Sequence, residues 1–159
     1  MADWHTRKAK GDEHEHDVKI LLEQCGWTVQ FCGQGTFLPH IQEALCRTDS
    51  ALRQFPDMIA ARGHDLVVID AKTRMESTGT NRYAISRTCL HAGLQMTGTL
   101  APVPLFYVFG DLGVLTPPEV MAYSCHAKIH TSGSYYLVDT RYAHRFDEVF
   151  GPRALLRSA

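Results

Sequence analysis

The sequence contains no apolar run long enough to span a bilayer, and this predicts a protein without membrane segments. Its N-terminal region also has no apolar signal segment, so we expect a cytoplasmic location. The 5 cysteines are odd in number and have no CxxC spacing, which favours reduced thiols over a disulfide framework. The net charge of -1 gives no general excess of basic residues, so composition alone does not indicate a nucleic-acid-binding protein.

Three common signatures of function are absent as well. The sequence has no P-loop lysine pattern, no G-x-S-x-G nucleophile motif and no internal repeat, which argues against P-loop nucleotide hydrolases, serine hydrolases of that type and repeat proteins. The chain has 159 residues, of which 45% are hydrophobic and 21% charged, as in an ordinary globular protein. We therefore expect a single domain over residues 1–159.

Two acids and a lysine flank a predicted β-hairpin. Strands are predicted at 58–61 and 66–69, joined by a turn that contains glycine. Asp57 precedes the first strand, and Asp70 and Lys72 follow the second, so both acids lie near one end of adjacent strands. Asp70 and Lys72 are two residues apart and share a face. Two carboxylates that hold a divalent cation, with an ammonium beside them, suit phosphodiester hydrolysis.

A structural role for the same residues is the alternative. Pro-Asp commonly starts a turn, and an Asp-x-Lys tripeptide arises often by chance. Asp57 and Asp70 would then only cap strands, in a small cytoplasmic protein unrelated to nucleic acid. A functional site is favoured because the apolar run at 66–69 leads directly into Asp70, and a charge at the end of a buried strand is costly unless it is paired or bound to a metal.

A third carboxylate is predicted on a helix near the N-terminus. Residues 11–26 have apolar side chains at helical spacing, and Gly26 is a natural stop. Glu15 lies three residues before Val18 and seven before Leu22, on the same stripe. We expect this stripe to face the sheet and to carry Glu15 toward it. The alternative is that Glu15 is only a favourable charge in the first turn of the helix.

These residues occur in a known order. The pattern is Lys10-Gly11-x-x-x-Glu15, a helix, Gly26-Trp27, a strand, Pro56-Asp57 and Asp70-x-Lys72. Over about residues 8–110 it resembles the PD-(D/E)XK nuclease superfamily, which includes many restriction endonucleases and the archaeal Holliday-junction resolvases. The chain departs from many resolvase-like members in a long stretch at 33–55. We interpret this stretch as an insertion that influences the choice of substrate or partner.

The resemblance implies a chemistry for each motif position. It implies that Asp57 and Asp70 bind magnesium, for which manganese could substitute, with help from the Ala71 carbonyl. It implies that Lys72 orients or activates the attacking water. Glu15 would match the helix glutamate that some members add to the metal site.

The coarse order of elements fits the same architecture. We predict an α/β fold with a mixed central β-sheet flanked by helices, and an αβββαβ core followed by a C-terminal extension at 111–159. Outside the hairpin, helices are predicted at 39–46, 82–96, 117–123 and 145–150, and strands at 27–32, 104–109 and 135–138. Residues 76–80 are predicted to form a polar loop.

Basic side chains near the motifs are candidates for phosphate contacts. Arg74 follows Lys72 by two residues and is the strongest of them, and Lys10, Arg82 and Arg87 complete the set. Further candidates at the predicted helix beginning at residue 82 are Tyr83, Ser86 and Gln95. The alternative for all of them is an ordinary solvated surface, and for Gln95 we favour it.

Together these features predict a magnesium-dependent endonuclease that acts on DNA. A homodimer is also predicted, since symmetric cutting of two strands needs two sites. The sequence does not indicate whether the substrate is a junction, a duplex or a single strand. The alternative is a nuclease-like fold that only binds nucleic acid or a protein partner.

Overall fold

A computed structural model describes residues 4–73, 75–77, 80–124 and 135–152, with side chains described from residue 11 and outside 74–79. The helices are α1 (Trp4–Gln24), α2 (Pro39–Cys46), α3 (Arg87–Leu100), α4 (Pro117–Ser124) and α5 (Phe146–Phe150). The strands are β1 (Thr28–Phe31), β2 (Met58–Arg62), β3 (Asp65–Lys72), β4 (Met75–Ser77), β5 (Arg82–Ser86), β6 (Leu105–Phe109), β7 (Gly113–Leu115), β8 (Tyr135–Asp139) and β9 (His144–Arg145). Among the described helices, none combines the length and apolar character that crossing a membrane requires.

The central sheet has six strands in the order β1-β2-β3-β6-β7-β9. Its pairs are antiparallel except for β3 and β6, which run parallel. The chain passes from β3 to β6 through α3, as a parallel connection requires a crossover. The protein is therefore a mixed α/β protein with a sheet flanked by helices, and the predicted fold class is confirmed.

The two faces of β3 pack against different helices because successive side chains of a strand point in opposite directions. Val67 and Ile69 lie in one apolar cluster with Val18 and Leu22 of α1, whose side chains are fully buried. Val68 lies in a second cluster with residues of α3 and β6. The central strand is thus covered on both sides, and only its ends reach solvent.

The helix predicted at 82–96 is wrong over its first five residues. Residues 82–86 form β5, which pairs with β4 and β8 in a second, three-stranded sheet. The reason is local alternation, since Tyr83 and Ile85 are buried and their neighbours are partly exposed. The helix begins only at Arg87, after the Ser86 hydroxyl accepts a 3.1 Å hydrogen bond from the Cys89 N–H. The structure also places β4 where part of a loop was predicted.

The stretch at 33–55 forms short helical segments beside the sheet. They are a 3₁₀ turn at Gln34–Thr36, α2, and a second 3₁₀ turn at Ala51–Gln54. Helix α2 has no buried residue. The second turn is anchored instead, because Ala51 and Phe55 pack against the α3 side of the sheet.

Candidate active site

Asp57 lies where β1, β2 and β3 meet. Continuing the pairing of Met58 with Ile69 by one residue places Asp57 opposite Asp70. The Asp57 carboxylate accepts a 2.8 Å hydrogen bond from the Ala71 N–H, and the Asp57 carbonyl accepts bonds from the N–H groups of Cys32 and Gly33. Side chain and backbone are therefore both fixed, as a precisely placed metal ligand would need.

Gly33 allows the chain to pass close to this carboxylate. A Cβ atom at Gly33 would lie 3.2 Å from both the Cα and an Oδ atom of Asp57. This contact is tight enough to require movement of Asp57, whose backbone is held in the sheet. In the sequence Gly33 indicates only the end of a strand, so its role beside Asp57 emerges from the structure.

Asp70 and Lys72 form an ion pair at the end of β3. The Lys72 Nζ atom lies 2.7 and 2.8 Å from the two Asp70 carboxylate oxygens. The Asp70 side chain is only 15% exposed and the Lys72 side chain only 23%. Burial lowers the pKa of Lys72, but the neighbouring Asp70 outweighs it and raises the pKa overall. Lys72 is therefore a fixed positive charge across the neutral range.

The Tyr107 ring packs against the Lys72 side chain. Tyr107 pairs with Asp70 across the parallel β3–β6 ladder, and its fully buried ring lies 5.1 Å from the Lys72 Nζ atom, within cation–π range. Its hydroxyl donates a 3.3 Å hydrogen bond to the Cys89 carbonyl of α3. Sequence reasoning missed Tyr107 because the apolar run at 104–109 indicates only a buried strand.

Glu15 belongs to the same electrostatic group as the two aspartates. It is partly buried in α1, and burial, Asp12 and Asp70 raise its pKa, while His16 and Lys72 lower it. Burial, Asp70 and Glu15 raise the pKa of Asp57 to about 8, although the Ala71 N–H and Lys72 oppose the shift. Three carboxylates thus repel one another at this end of the sheet.

A divalent cation would relieve this repulsion, and the available donors suit it. Carboxylate and carbonyl oxygens are the ligands that Mg²⁺ prefers. Within the described part of the chain, however, no three acidic, histidine or cysteine side chains are already arranged as a metal shell. Both oxygens of Asp70 contact Lys72 instead. The donor chemistry would fit a hard divalent cation, and Asp70 would then be shared between that cation and Lys72.

A cavity of about 330 Å³ opens beside Lys72. Its other walls come from the end of β3, from β5, from β8 and from the start of α3: Ala71, Thr73, Ala84, Ile85, Ser86, Cys89 and Tyr135. A small polar group that enters this cavity can contact the Lys72 side chain. Ser86 was predicted to lie near the site, and the structure places it in this wall.

The four residues predicted to contact phosphate lie in different parts of the chain. Arg74 lies outside the described residues, and the side chain of Lys10 is not described. Arg82 is on β5, opposite Asp139. Arg87 is exposed in the first turn of α3, with its guanidinium 6.0 Å from the centre of the Tyr136 ring.

Tyr83 lies outside the lining of the Lys72 cavity. It is buried, stacks on Phe109 at 3.8 Å between ring centres, and donates its hydroxyl proton to Asp111. These contacts give Tyr83 a structural role.

Two further side chains near the site also emerge from the structure. His14 is partly buried, with its Nε2 atom 3.1 Å from the Val108 carbonyl oxygen. Burial and the nearby Asp57 raise the pKa of Cys32 to about 11, and its thiol donates to the Pro56 carbonyl. Cys32 therefore stays protonated and unreactive at neutral pH.

Comparisons with known proteins identify the fold. No protein-family model matches the chain, and no curated protein matches it in sequence. Among solved structures, the Holliday junction resolvase Hjc of the archaeal hyperthermophile Archaeoglobus fulgidus aligns over 90% of this chain and 97% of its own, with a TM-score of 0.52 and 15% identity. A nuclease from a fusellovirus aligns over 87% of this chain and 89% of its own, with a TM-score of 0.48 and 18% identity. The chain therefore has the resolvase-like fold that its PD-(D/E)XK resemblance implies.

Proposed function

We propose that this protein is a divalent-metal-dependent endonuclease that hydrolyses DNA phosphodiester bonds. The observation that carries the proposal is the grouping of Asp57, Asp70 and Lys72 at one end of β2 and β3, beside a cavity, within a resolvase-like fold. A protein that only bound nucleic acid would have no use for mutually repelling carboxylates, since they repel phosphates as well.

In this proposal Asp57, Asp70 and the Ala71 carbonyl hold magnesium, or manganese in its place, and Glu15 contacts the ion directly or through water. The bound ion supplies Lewis-acid polarisation of the phosphate and lowers the pKa of a water molecule. Lys72 orients the attacking water and offsets the negative charge that grows on the phosphoryl oxygens. Tyr107 and Asp70 hold the lysine in place for this task.

The assay that tests this function uses purified protein with supercoiled plasmid and with branched DNA, each in magnesium and in EDTA. We expect cleavage of at least one substrate in magnesium and none in EDTA. Binding without cleavage in magnesium and in manganese would favour the non-catalytic alternative. We further propose that the protein is cytoplasmic. We also propose that it forms a homodimer, because coordinated cutting of two strands needs two sites. Light scattering of the purified protein tests the dimer.

Replacing Glu15 with Gln is expected to weaken cleavage about tenfold to a hundredfold while leaving the metal-free protein as stable as wild type or slightly more stable. The reason is that a partly buried carboxylate, repelled by Asp70, is favourable only when a cation is present. Cleavage rates and thermal melting, with and without magnesium, measure both effects. Glu13→Gln, an exposed change on the same helix, is the control. A strongly destabilised but fully active Glu15→Gln protein would make Glu15 structural.

Replacing Gly93 with Ala is expected to destabilise the protein by about 1–3 kcal/mol and to slow cleavage. A Cβ atom there would lie 2.0 Å from the Tyr107 hydroxyl, and the buried ring can move only by disturbing its contact with Lys72. Gly98→Ala is a matched control, because it lies on the same helix with open space around it. Urea unfolding and cleavage rates should separate the two variants, and adding Tyr107→Phe to Gly93→Ala should recover part of the stability. Equal stability of the two alanine variants would contradict this role for Gly93.

A further inference from the structure

A second groove, of about 480 Å³, lies between α3 and the 3₁₀ turn at Ala51–Gln54. One wall is the turn with the two residues before it, and the other is the part of α3 from Arg87 to Gln95. Among its lining residues are Arg53 and Gln54 on one wall and Arg87, His91 and Gln95 on the other. The groove is thus a feature of the insertion, formed where the insertion meets the core.

Packing fixes the position of the turn. Ala51 and Phe55 pack against the apolar cluster formed by Val68, Met96 and Leu105, so both ends of the turn are anchored on the α3 side of the sheet. The start of the turn is capped, because the side chain of the preceding serine accepts a hydrogen bond from the Leu52 N–H. The spacing between the walls is therefore set by the core.

The chemistry of the lining is polar and positive. Arg53 and Arg87 carry fixed charges, and Asp49 is the single acid among the residues described in the lining. The Arg53 side chain forms no ion pair with the described part of the chain. Two amides and two hydroxyl groups, from Gln54, Gln95, Ser50 and Thr88, supply further donors. Guanidinium groups with neutral donors are suited to phosphate oxygens.

Both walls are close in sequence to residues of the candidate active site. Gln54 lies three residues before Asp57, joined to it by the partly buried Phe55 and the buried Pro56. On the other side, Arg87 directly follows Ser86, which lines the cavity at Lys72. The start of α3 therefore lines the groove with Arg87 and the cavity with Cys89.

We propose that this groove binds the phosphodiester backbone of a DNA strand beside the bond that is cut. The proposal rests on the proposed nuclease function for the identity of the ligand. It gives the insertion a specific task, since Arg53 supplies a phosphate contact to the wall opposite Arg87. The strand leaves the cavity at Lys72 past the start of α3 and is held between the two arginines.

The test measures binding of a fluorescein-labelled DNA duplex by fluorescence anisotropy in EDTA, over a range of salt concentrations, and plasmid cleavage in magnesium. We expect Arg53→Ala to lower the affinity for DNA about tenfold. The slope of the logarithm of the association constant against the logarithm of the salt concentration should fall in magnitude by about one, as loss of one phosphate contact predicts. Arg53→Glu should weaken binding further. Arg47→Ala is the matched control, because Arg47 is an exposed arginine of the same insertion, is paired with Glu43 and lies outside the groove.

The outcomes separate this proposal from the nuclease function. Unchanged affinity and salt slope in Arg53→Ala, with an active wild type, would overturn the groove and leave the nuclease proposal intact. A wild type that binds DNA through Arg53 but cleaves nothing would support the groove and overturn the nuclease. Equal losses in Arg53→Ala and Arg47→Ala would indicate general electrostatic attraction and overturn the groove. Both Arg53 variants should melt at the wild-type temperature because the side chain is exposed.

Discussion

Replacing Asp57 with Asn is expected to reduce DNA cleavage by about 10³-fold or more, and at pH 8 to make the metal-free protein more stable than wild type. The loss of activity follows from removing a proposed metal ligand. The gain in stability follows from the buried position of Asp57, where Asp70 and Glu15 raise its pKa from 3.8 to about 8. Asparagine keeps the hydrogen bond from the Ala71 N–H and carries no charge at any pH.

The sign of the pH effect follows from the protonation of each state. Below about pH 4 both the folded and the unfolded chain hold the Asp57 proton, and its contribution to stability is fully present. As the pH rises toward 8, the unfolded chain releases the proton while the folded chain retains it, so the free energy of unfolding falls. The total loss is on the order of a few kcal/mol.

Urea unfolding of wild type and Asp57→Asn in EDTA, between pH 4 and pH 8, measures this difference. The two curves should meet near pH 4 and separate as the pH rises. Magnesium at pH 8 should stabilise the wild type and not the variant, since a ligand that binds only the folded state adds to its stability. Asp17→Asn, an exposed change on α1, is the control. An Asp57→Asn protein that is less stable than wild type at pH 8 would contradict the assigned environment.

Replacing Asp70 with Asn is expected to abolish cleavage and also to destabilise the metal-free protein at pH 7 by about 3 kcal/mol. This value is the low end for a broken buried ion pair, because both side chains keep some contact with solvent. The change leaves the Lys72 ammonium without its carboxylate. Relief of repulsion on Asp57 is a further reason to expect the low end, because a lower pKa of Asp57 in the folded protein reduces the cost of retaining its proton at pH 7.

A double-mutant cycle separates stability from catalysis here. Asp70→Asn combined with Lys72→Met removes both charges and should recover most of the lost stability, since replacing both partners leaves no uncompensated charge. All three variants should remain inactive. Unfolding in urea at pH 7 gives the coupling free energy, and plasmid cleavage gives the activity. If the single Asp70→Asn protein were as stable as the double variant, the ion pair would contribute nothing to the fold.

Sequence reasoning located the hairpin and the helix because both follow from local periodicity. The two-residue period of the strands brought Asp57 opposite Asp70, and the helical stripe carried Glu15 toward the sheet with Val18 and Leu22. These relations span few residues and depend little on the rest of the fold. The assignment of Asp57, Asp70, Lys72 and Glu15 to catalysis stays a prediction that the variants above test.

The parts that sequence reasoning missed depend on distant contacts. Tyr107 contacts Lys72 only because β6 pairs with β3 in parallel. The apolar run at 104–109 does not indicate which strand it will pair with. The groove at Arg53 forms only when the insertion packs on α3. The error at β5 had a local cause, since alternation of Tyr83 and Ile85 competed with a helical pattern that begins five residues later.

The parallel pairing of β3 with β6 has a consequence for the order in which the protein is assembled. Asp57, Asp70 and Lys72 come together when the β2–β3 hairpin forms, which needs only neighbouring residues. The Tyr107 support arrives later, since β6 can join β3 only after the intervening chain has been synthesised and α3 has crossed the sheet. A growing chain on the ribosome therefore carries the acids and the lysine before it can hold the lysine in place. The proposed site is therefore complete only after β6 has joined β3.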